Sequence, residues 1–326
     1  MKSYAVVGMG SIAKRHLKNL RKLYPQARIY AVSSSGKNSQ LPEAADEVIS
    51  LDELISKKLE YVIIASPAPY HLNTAKQLLS NNIAVLIEKP LAENYISTTE
   101  FIHFCEKGHY EEQAAVGYCL RFLPSALIVK KLIEQQALGT IYNVSTTVGQ
   151  YLPGWRTDKN YKDSVSAQKA LGGGALLELS HELDYLMWFF GSLSLQHSWL
   201  RTTDELELEV EDIVNLVLVN DEGLHISVHL DFIQKVTQRK CEIIGKKGRV
   251  IWDLITNSVT LFDIDGMHNL YSEPEYDKNN MYLDMLETFS SVRMNGFQQL
   301  ASIKSSSRII ELIELAKDTN FWRKSC

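Results

Sequence analysis

Cysteine is scarce in this chain, and its four residues, Cys105, Cys119, Cys241 and Cys326, are widely spaced without a CxxC pair. Such spacing supplies neither a disulfide framework nor a zinc site, and it predicts reduced thiols in a cytoplasmic compartment. No apolar run approaches the roughly 18 residues of a membrane span. From residue 4 the chain runs YAVVGMG into a polar segment, so it carries no legible secretory leader and no membrane partner is expected. Basic residues form no cluster: 34 Lys and Arg against 39 Asp and Glu give a net charge of −5, spread along the chain. That excludes the electrostatic footprint needed for nucleic acid and leaves a small soluble ligand as the expected partner. No internal repeat or low-complexity segment is present.

Material for a large core is present, since 45% of the 326 residues are hydrophobic. At about 150 residues per domain, that length predicts two domains. Between residues 4 and 118 short apolar runs (YAVVG, RIYAVSS, YVIIAS, IAVLIEKP, AAVGY) alternate with helical patterns such as HLKNLRKL and HLNTAKQLLSNN. Continuous apolar runs mark strands covered on both faces, so residues 1–120 read as an α/β domain, a doubly wound parallel sheet of Rossmann type. Beyond residue 122 a helix, SALIVKKLIEQQ, precedes TIYNVSTTVGQYL, IVNLVLVND, GLHISVHLDFI, RKCEIIG, RVIWDL and SVTLFDID, whose period is mostly two. The turn signals NDEG, GKKG and IDG between them predict hairpins. Residues 121–326 therefore read as an α+β domain with an open, largely antiparallel sheet. Helical spacing returns in MYLDMLETFSSVRM and from Ile303 to Lys317, and this C-terminal helix belongs either to the second domain or back with the first.

Directly after the first strand, GMGSIAKRH sets Gly8, Gly10 and Ala13 at the positions of a GxGxx(G/A) dinucleotide fingerprint. The first glycine permits the tight turn, the second lets backbone approach a pyrophosphate, and the small third residue allows close packing of helix on strand. Ser11 and Ile12 open a helix whose N-terminus faces the phosphates. An NAD site usually carries an acidic residue about 20 positions on. Here Ser33, Ser34 and Ser35 stand in that place, the first acidic residue is Glu43, and Lys37 and Arg15 lie near enough in sequence to meet a 2′-phosphate. NADP is the expected cofactor and NAD the alternative, because serine hydroxyls bond ribose and phosphate alike.

Two more strand ends, ASPAPYH at 65–71 and EKP at 88–90, are followed by GYCLRFLP at 117–124 and GGGALLELSHELDYLMWFFG at 172–191. With these motifs the chain resembles the Gfo/Idh/MocA oxidoreductase family over nearly its whole length. The resemblance implies an NAD(P)-dependent dehydrogenase or reductase acting on a CH–OH group of a sugar or sugar derivative. It implies Lys89 as the catalytic lysine beside the nicotinamide, and His181 in proton transfer or holding the substrate hydroxyl. Ser66, Pro67, His71 and Glu88 fall at cofactor positions, His71 being alternatively a helix-start residue. A homodimer or homotetramer is implied as well. Some relatives keep this fold and sense ligands without turnover; the lysine of EKP and the signature histidine favour an enzyme.

The physics is compatible. Oxidising a secondary alcohol sends a hydride to the nicotinamide and a proton to a base, and a lysine drawn out of water beside a positively charged ring has its charged form disfavoured. Pro90 restricts Lys89 to an extended backbone, with either peptide isomer open. Glu178 precedes His181 by three residues where the family pattern has an aspartate four before; spacings of three and four share a helix face, so the pair converges if one helix carries both. Otherwise Glu178 is a favourable charge at a helix N-terminus. Neither this pair nor His225 with His229 has further ligands at useful spacing, so no metal is expected.

For the substrate, residues 151–174 (YLPGWRTDKNYKDSVSAQKALGGG) form a long loop rich in Trp, Arg and Tyr. Aromatic rings cover the apolar faces of a pyranose, and Trp155 and Arg156 are the first candidates, with Arg121 and Asp184 to bond hydroxyls, a carboxylate or a phosphate. Alternatively the loop packs on a neighbouring subunit. The loop and the SHELDY spelling resemble members that accompany surface-polysaccharide and sialic-type sugar pathways.

Overall fold

The computed structural model describes residues 2–33, 39–155, 160–292 and 299–319. These fall into two compact units, one made of the described residues of Met1–Phe122 and Lys278–Ile310, the other of those of Leu123–Asp277 and Glu311–Cys326.

In the first unit, β1 (Ser3–Val7), β2 (Arg28–Val32), β3 (Glu47–Ile49), β4 (Tyr61–Ile64), β5 (Val85–Glu88) and β6 (Ala114–Gly117) form a parallel sheet in the order β6-β5-β4-β1-β2-β3. Every residue of β4, β5 and β6 is buried, which is why their apolar runs are continuous. The order reverses between β1 and β4, and in open α/β sheets the crevice at such a switch point, at the carboxyl ends of the strands, receives ligands. Helices α1 (Ser11–Leu23), α2 (Leu51–Ile55), α3 (His71–Ser80) and α4 (Tyr95–Gly108) connect the strands. Helix α1 buries Ala13, His16, Leu17, Asn19 and Leu20 along one face and ends with Arg21 and Lys22, favourable to the negative end of its dipole.

The break at Phe122 lies two residues from the boundary read at residue 120, but residues 278–310, read with the second domain except for a C-terminal helix that could return, belong to this first unit. A two-residue strand there, Ala301–Ser302, pairs antiparallel with β6. A helix there, Asn280–Val292, follows Asn279, which exchanges two hydrogen bonds with Asn19 of α1, at 3.2 and 2.7 Å. It sets the Phe289 ring edge-on to Tyr61, 5.1 Å between centroids. These groups are apolar or paired only across the unit, so a sequence window cannot show where they dock.

The second unit opens with α5 (Pro124–Glu134) and holds an eight-stranded sheet: β7 (Ile141–Gly149), β8 (Leu193–Arg201), β9 (Ile213–Asn220), β10 (His225–Asp231), β11 (Gln238–Gly245), β12 (Gly248–Asp253), β13 (Ser258–Asp263) and β14 (Gly266–Ser272). Its order is β14-β13-β12-β11-β7-β10-β9-β8; β7 and β10 run parallel and all other neighbours antiparallel. Buried and half-buried residues alternate, Val214, Leu216 and Leu218 of β9 matching Leu230, Val228 and Ile226 of β10 in register. Two helices, α6 (Ala175–Glu178) and α7 (His181–Phe190), lie between β7 and β8 in the chain. From α7 the Tyr185 ring meets Trp252 of β12 at 5.0 Å and its hydroxyl bonds Thr146 of β7, which seats the helix on the buried face. The two remaining helices are α8, the Asn280–Val292 helix above, and α9 (Ile303–Asp318), whose first half belongs to the first unit and second half to the second.

Candidate active site

Three strand ends of the first unit carry the motif residues. After β1, Gly8 has φ +121°, a conformation that strains any side chain, and a Cβ there would stand 2.5 Å from the Ala65 carbonyl oxygen. Gly10 differs: its φ is −73° and a Cβ would meet nothing within 4 Å. The protein's own packing does not require a glycine at this position. What the missing side chain leaves is open space at the N-terminus of α1, beside exposed Ser11 and half-buried Ile12 and with no acidic residue in the first turn. Open backbone N–H groups at a helix N-terminus fit the pyrophosphate of a dinucleotide.

After β4, Ser66 and Pro67 are half-buried and lead into α3, which starts at His71. His71 is 1% exposed, its Nε2 lying 2.7 Å from the Ser66 carbonyl and its Nδ1 3.0 Å from that of Pro90. Burial pushes its pKa below the ordinary histidine value, against the opposite pull of the two carbonyls and of the Glu88 charge. The ring joins the two motif loops through their backbones.

After β5, the buried Glu88 places Oε1 2.6 Å from His16 Nε2, and its Oε2 accepts the Lys89 backbone N–H at 3.2 Å. Lys89 is half-buried and the Lys89–Pro90 peptide is cis. His16 stands in the glycine motif, yet its residue type suggests no role there; its place on the buried face of α1, three residues after Ala13, is the signal that marks it as interior. Arg121, read as a ligand contact, is 5% exposed, in a 3-10 segment, Cys119–Phe122, and its carbonyl accepts from Gln299 at 2.9 Å. Of the residues bearing on NADP against NAD, Ser34 and Lys37 lie outside the described residues. Ser33 is buried and bonds Ser39 at 2.6 Å, and the Arg15 guanidinium stands 4.8 Å over the Tyr282 ring.

In the second unit the described residues of the long loop include the 3-10 turns Leu152–Gly154, Tyr161–Asp163, Val165–Ala167 and Lys169–Leu171. Trp155 meets Phe232 edge-on at 5.4 Å and, with Leu152, Tyr161 and Val165, lines a cavity of about 140 Å³. Arg156 lies outside the described residues. The expectation that Glu178 and His181 share one helix face is corrected: Glu178 ends α6 and His181 begins α7, with Leu179 and Ser180 as a turn between them. Both are half-buried. Asp184 and Tyr185 of α7 are both fully buried. Glu182 beside them is held by Arg239 through Nε at 2.6 Å and Nη2 at 3.1 Å. Glu211, which no motif announced, accepts the Leu176 N–H at 3.1 Å, and a Cβ at Gly174 would fall 2.4 Å from its Oε1. Burial raises the Glu211 pKa above the ordinary carboxylate value. This packing accounts for one glycine of the GGG run. Among the described residues no group of three or more His, Cys, Asp or Glu gathers to hold a metal, and no helix is long and apolar enough to cross a membrane.

Comparison with known proteins agrees with this geometry. Residues 2–116 match the family described as oxidoreductase family, NAD-binding Rossmann fold, and residues 127–251 match the GFO/IDH/MocA C-terminal domain. The 2,7-anhydro-N-acetylneuraminate hydratase of Escherichia coli is 28% identical over 196 residues, 59% of this chain and 50% of that protein. The glucose-6-phosphate 3-dehydrogenase of Bacillus subtilis is 23% identical over 98% of this chain and 97% of its own. Among solved structures, an NAD-binding oxidoreductase from Klebsiella pneumoniae superposes with a TM-score of 0.84 over 98% of this chain and 96% of its own, at 16% identity, a likeness of fold.

Proposed function

The chain belongs to the Gfo/Idh/MocA family of NAD-dependent oxidoreductases, and on that premise we propose that it moves a hydride between NADP and a ring hydroxyl or ketone of a sugar derivative. The observation that carries the reading is the joining of the motif loops after β1, β4 and β5: the two ring nitrogens of His71 stand at 2.7 and 3.0 Å from the Ser66 and Pro90 carbonyls, of which its one N–H in the neutral form donates to either, and Glu88 bonds His16 and the Lys89 N–H. When bound, the dinucleotide supplies the hydride acceptor or donor. Gly8, Gly10, Ser11 and Ile12 hold its pyrophosphate, Ser66 and Pro67 border it, and Ser34 and Lys37 meet the 2′-phosphate. NAD is the alternative at the same groups. Lys89 takes the proton of the reacting hydroxyl in the oxidising direction and returns it in reduction, and His181 holds that hydroxyl or shares its proton, with Glu178 assisting. Trp155 and Arg156 supply an aromatic platform and a cation for a sugar bearing an acidic group. The hydratase and the sugar-phosphate dehydrogenase among its relatives support a sugar derivative, and the first of them supports a sialic-type one. The active form is a cytoplasmic homodimer or homotetramer.

Fluorescence titration with NADPH and NADH, on the natural chain and on Lys89→Met, tests this. Tighter NADPH binding that survives the substitution, with turnover of a panel of hexoses, their phosphates and N-acetyl derivatives lost by at least about 100-fold, supports it. Nucleotide binding with no turnover of any of them transfers the site to ligand sensing, and equal affinity for the two nucleotides removes the NADP preference.

A further inference from the structure

The motif assigns Glu88 to the cofactor, yet its carboxylate turns inward. It is 5% exposed, and each of its oxygens has a protein partner: Oε1 stands 2.6 Å from His16 Nε2 and Oε2 3.2 Å from the Lys89 N–H it accepts. Burying a carboxylate is tolerated when its oxygens are bonded in this way. His16 is itself fully buried, five residues into α1 from Ser11, with the Tyr282 ring edge-on at 6.0 Å. The pair therefore runs from the helix assigned to the pyrophosphate to the main-chain N–H of the lysine assigned to the proton. Lys89 follows β5 directly, so bonding its N–H to the Glu88 carboxylate holds the main chain from which the lysine side chain departs.

We propose that His16 and Glu88 form a positioning pair that ties the Lys89 main chain to α1. The pair touches neither cofactor nor substrate. It rests on the reading of Lys89 as the proton-handling group, and it acts on the aim of that amine while leaving dinucleotide affinity alone. A misplacement of about 1 Å in a reacting group lowers turnover by about 100-fold.

The test follows the Lys89 amine directly and needs no sugar. The full chain is labelled with trinitrobenzenesulfonate, the rate at Lys89 is read by peptide mass spectrometry, and NADPH affinity is titrated in parallel. Glu88→Ala frees the Lys89 N–H, and labelling at Lys89 rises about fivefold, the factor that one lost hydrogen bond gives, while NADPH affinity stays within about threefold. Glu88→Gln keeps an acceptor for that N–H and labels as the natural chain does. If Glu88→Gln labels as fast as Glu88→Ala, the lost charge and not the lost anchor is responsible and the proposal is overturned. It is overturned equally if Glu88→Ala leaves labelling unchanged. Should Glu88→Ala fail to fold, His16→Leu and His16→Gln repeat the comparison from the other end: the leucine variant is expected to label faster and the glutamine variant as the natural chain, and equal rates in the two overturn the pair. Unimpaired turnover in Lys89→Met would remove the catalytic role of Lys89 without touching these labelling rates, so the two readings fail separately.

Discussion

Two glycines two residues apart separate a folding requirement from a binding one. At Gly8 the φ of +121° opposes any side chain, and so does the Ala65 carbonyl oxygen, 2.5 Å from where a Cβ would stand. Gly8→Ala is expected to lose about 3 kcal/mol or more of stability, read by denaturant titration. Gly10 has φ −73° and open space around it, so Gly10→Ala is expected to melt within about 2 °C of the natural chain and to bind NADPH roughly tenfold more weakly, about 1.4 kcal/mol. Equal affinity there would take Gly10 out of the cofactor site. His71 makes a pH prediction. Its pKa is lowered in the folded chain, so the unfolded chain binds a proton first as pH falls; its stabilising contribution is complete above about 6.5 and is lost as pH drops through the lower folded value. Thermal melts from pH 7.5 to 5.0 should fall more steeply for the natural chain than for His71→Gln. At this scale Gly8 was legible because a tight turn with positive φ demands a glycine. The burial of Arg121 and Asp184 was not legible, because a charged residue inside a motif does not reveal how deeply its side chain sits.

Elements were legible where burial imposes a period. The continuous runs of β4 and β5 and the alternation of β9 and β10 reflect strands covered on two faces and on one. Strand β14 is exposed at six of its seven positions, so no alternation exists to be read, and β3 has only three residues. The parallel pairing of β7 with β10 lies outside what hairpin signals can state. The break between α6 and α7 is hidden in the sequence because GGGALLELSHELDY keeps helical spacing through the Leu179–Ser180 turn. Two element-level predictions follow from side chains that hold ends and faces in place. Asn94 caps α4 by accepting the Ser97 N–H at 2.9 Å, and Asn94→Ala is expected to cost about 1 kcal/mol in denaturant titration. The Glu182 carboxylate is fully buried against Arg239, whose side chain is 24% exposed; Arg239→Ala removes the ion pair from a buried carboxylate and is expected to cost about 3 kcal/mol, and Glu182→Gln less.

For the whole molecule, the decisive fact is that the first unit is discontinuous in sequence: residues 278–310 bring α8 and the strand pairing with β6 to a sheet whose other strands end by residue 117. A chain ended after Asp277 keeps every cofactor motif from Gly8 to Pro90 yet loses Asn279, Tyr282 and Phe289 from α1 and β4. It is expected to bind no NADPH and to expose apolar surface to a hydrophobic dye; full affinity in that truncated chain would refute the dependence. Unfolding of the intact protein need not follow a single transition, so the stability figures above belong to the unit that carries each substitution. The same discontinuity reaches into biosynthesis. A ribosome that has released the first 122 residues must still translate the intervening 155 before the completing segment starts to appear, a wait on the order of 10–30 s at ordinary elongation rates. Throughout that interval the nascent Rossmann sheet stands with an unpaired edge, so the demand for chaperone protection is set by the length of the inserted unit.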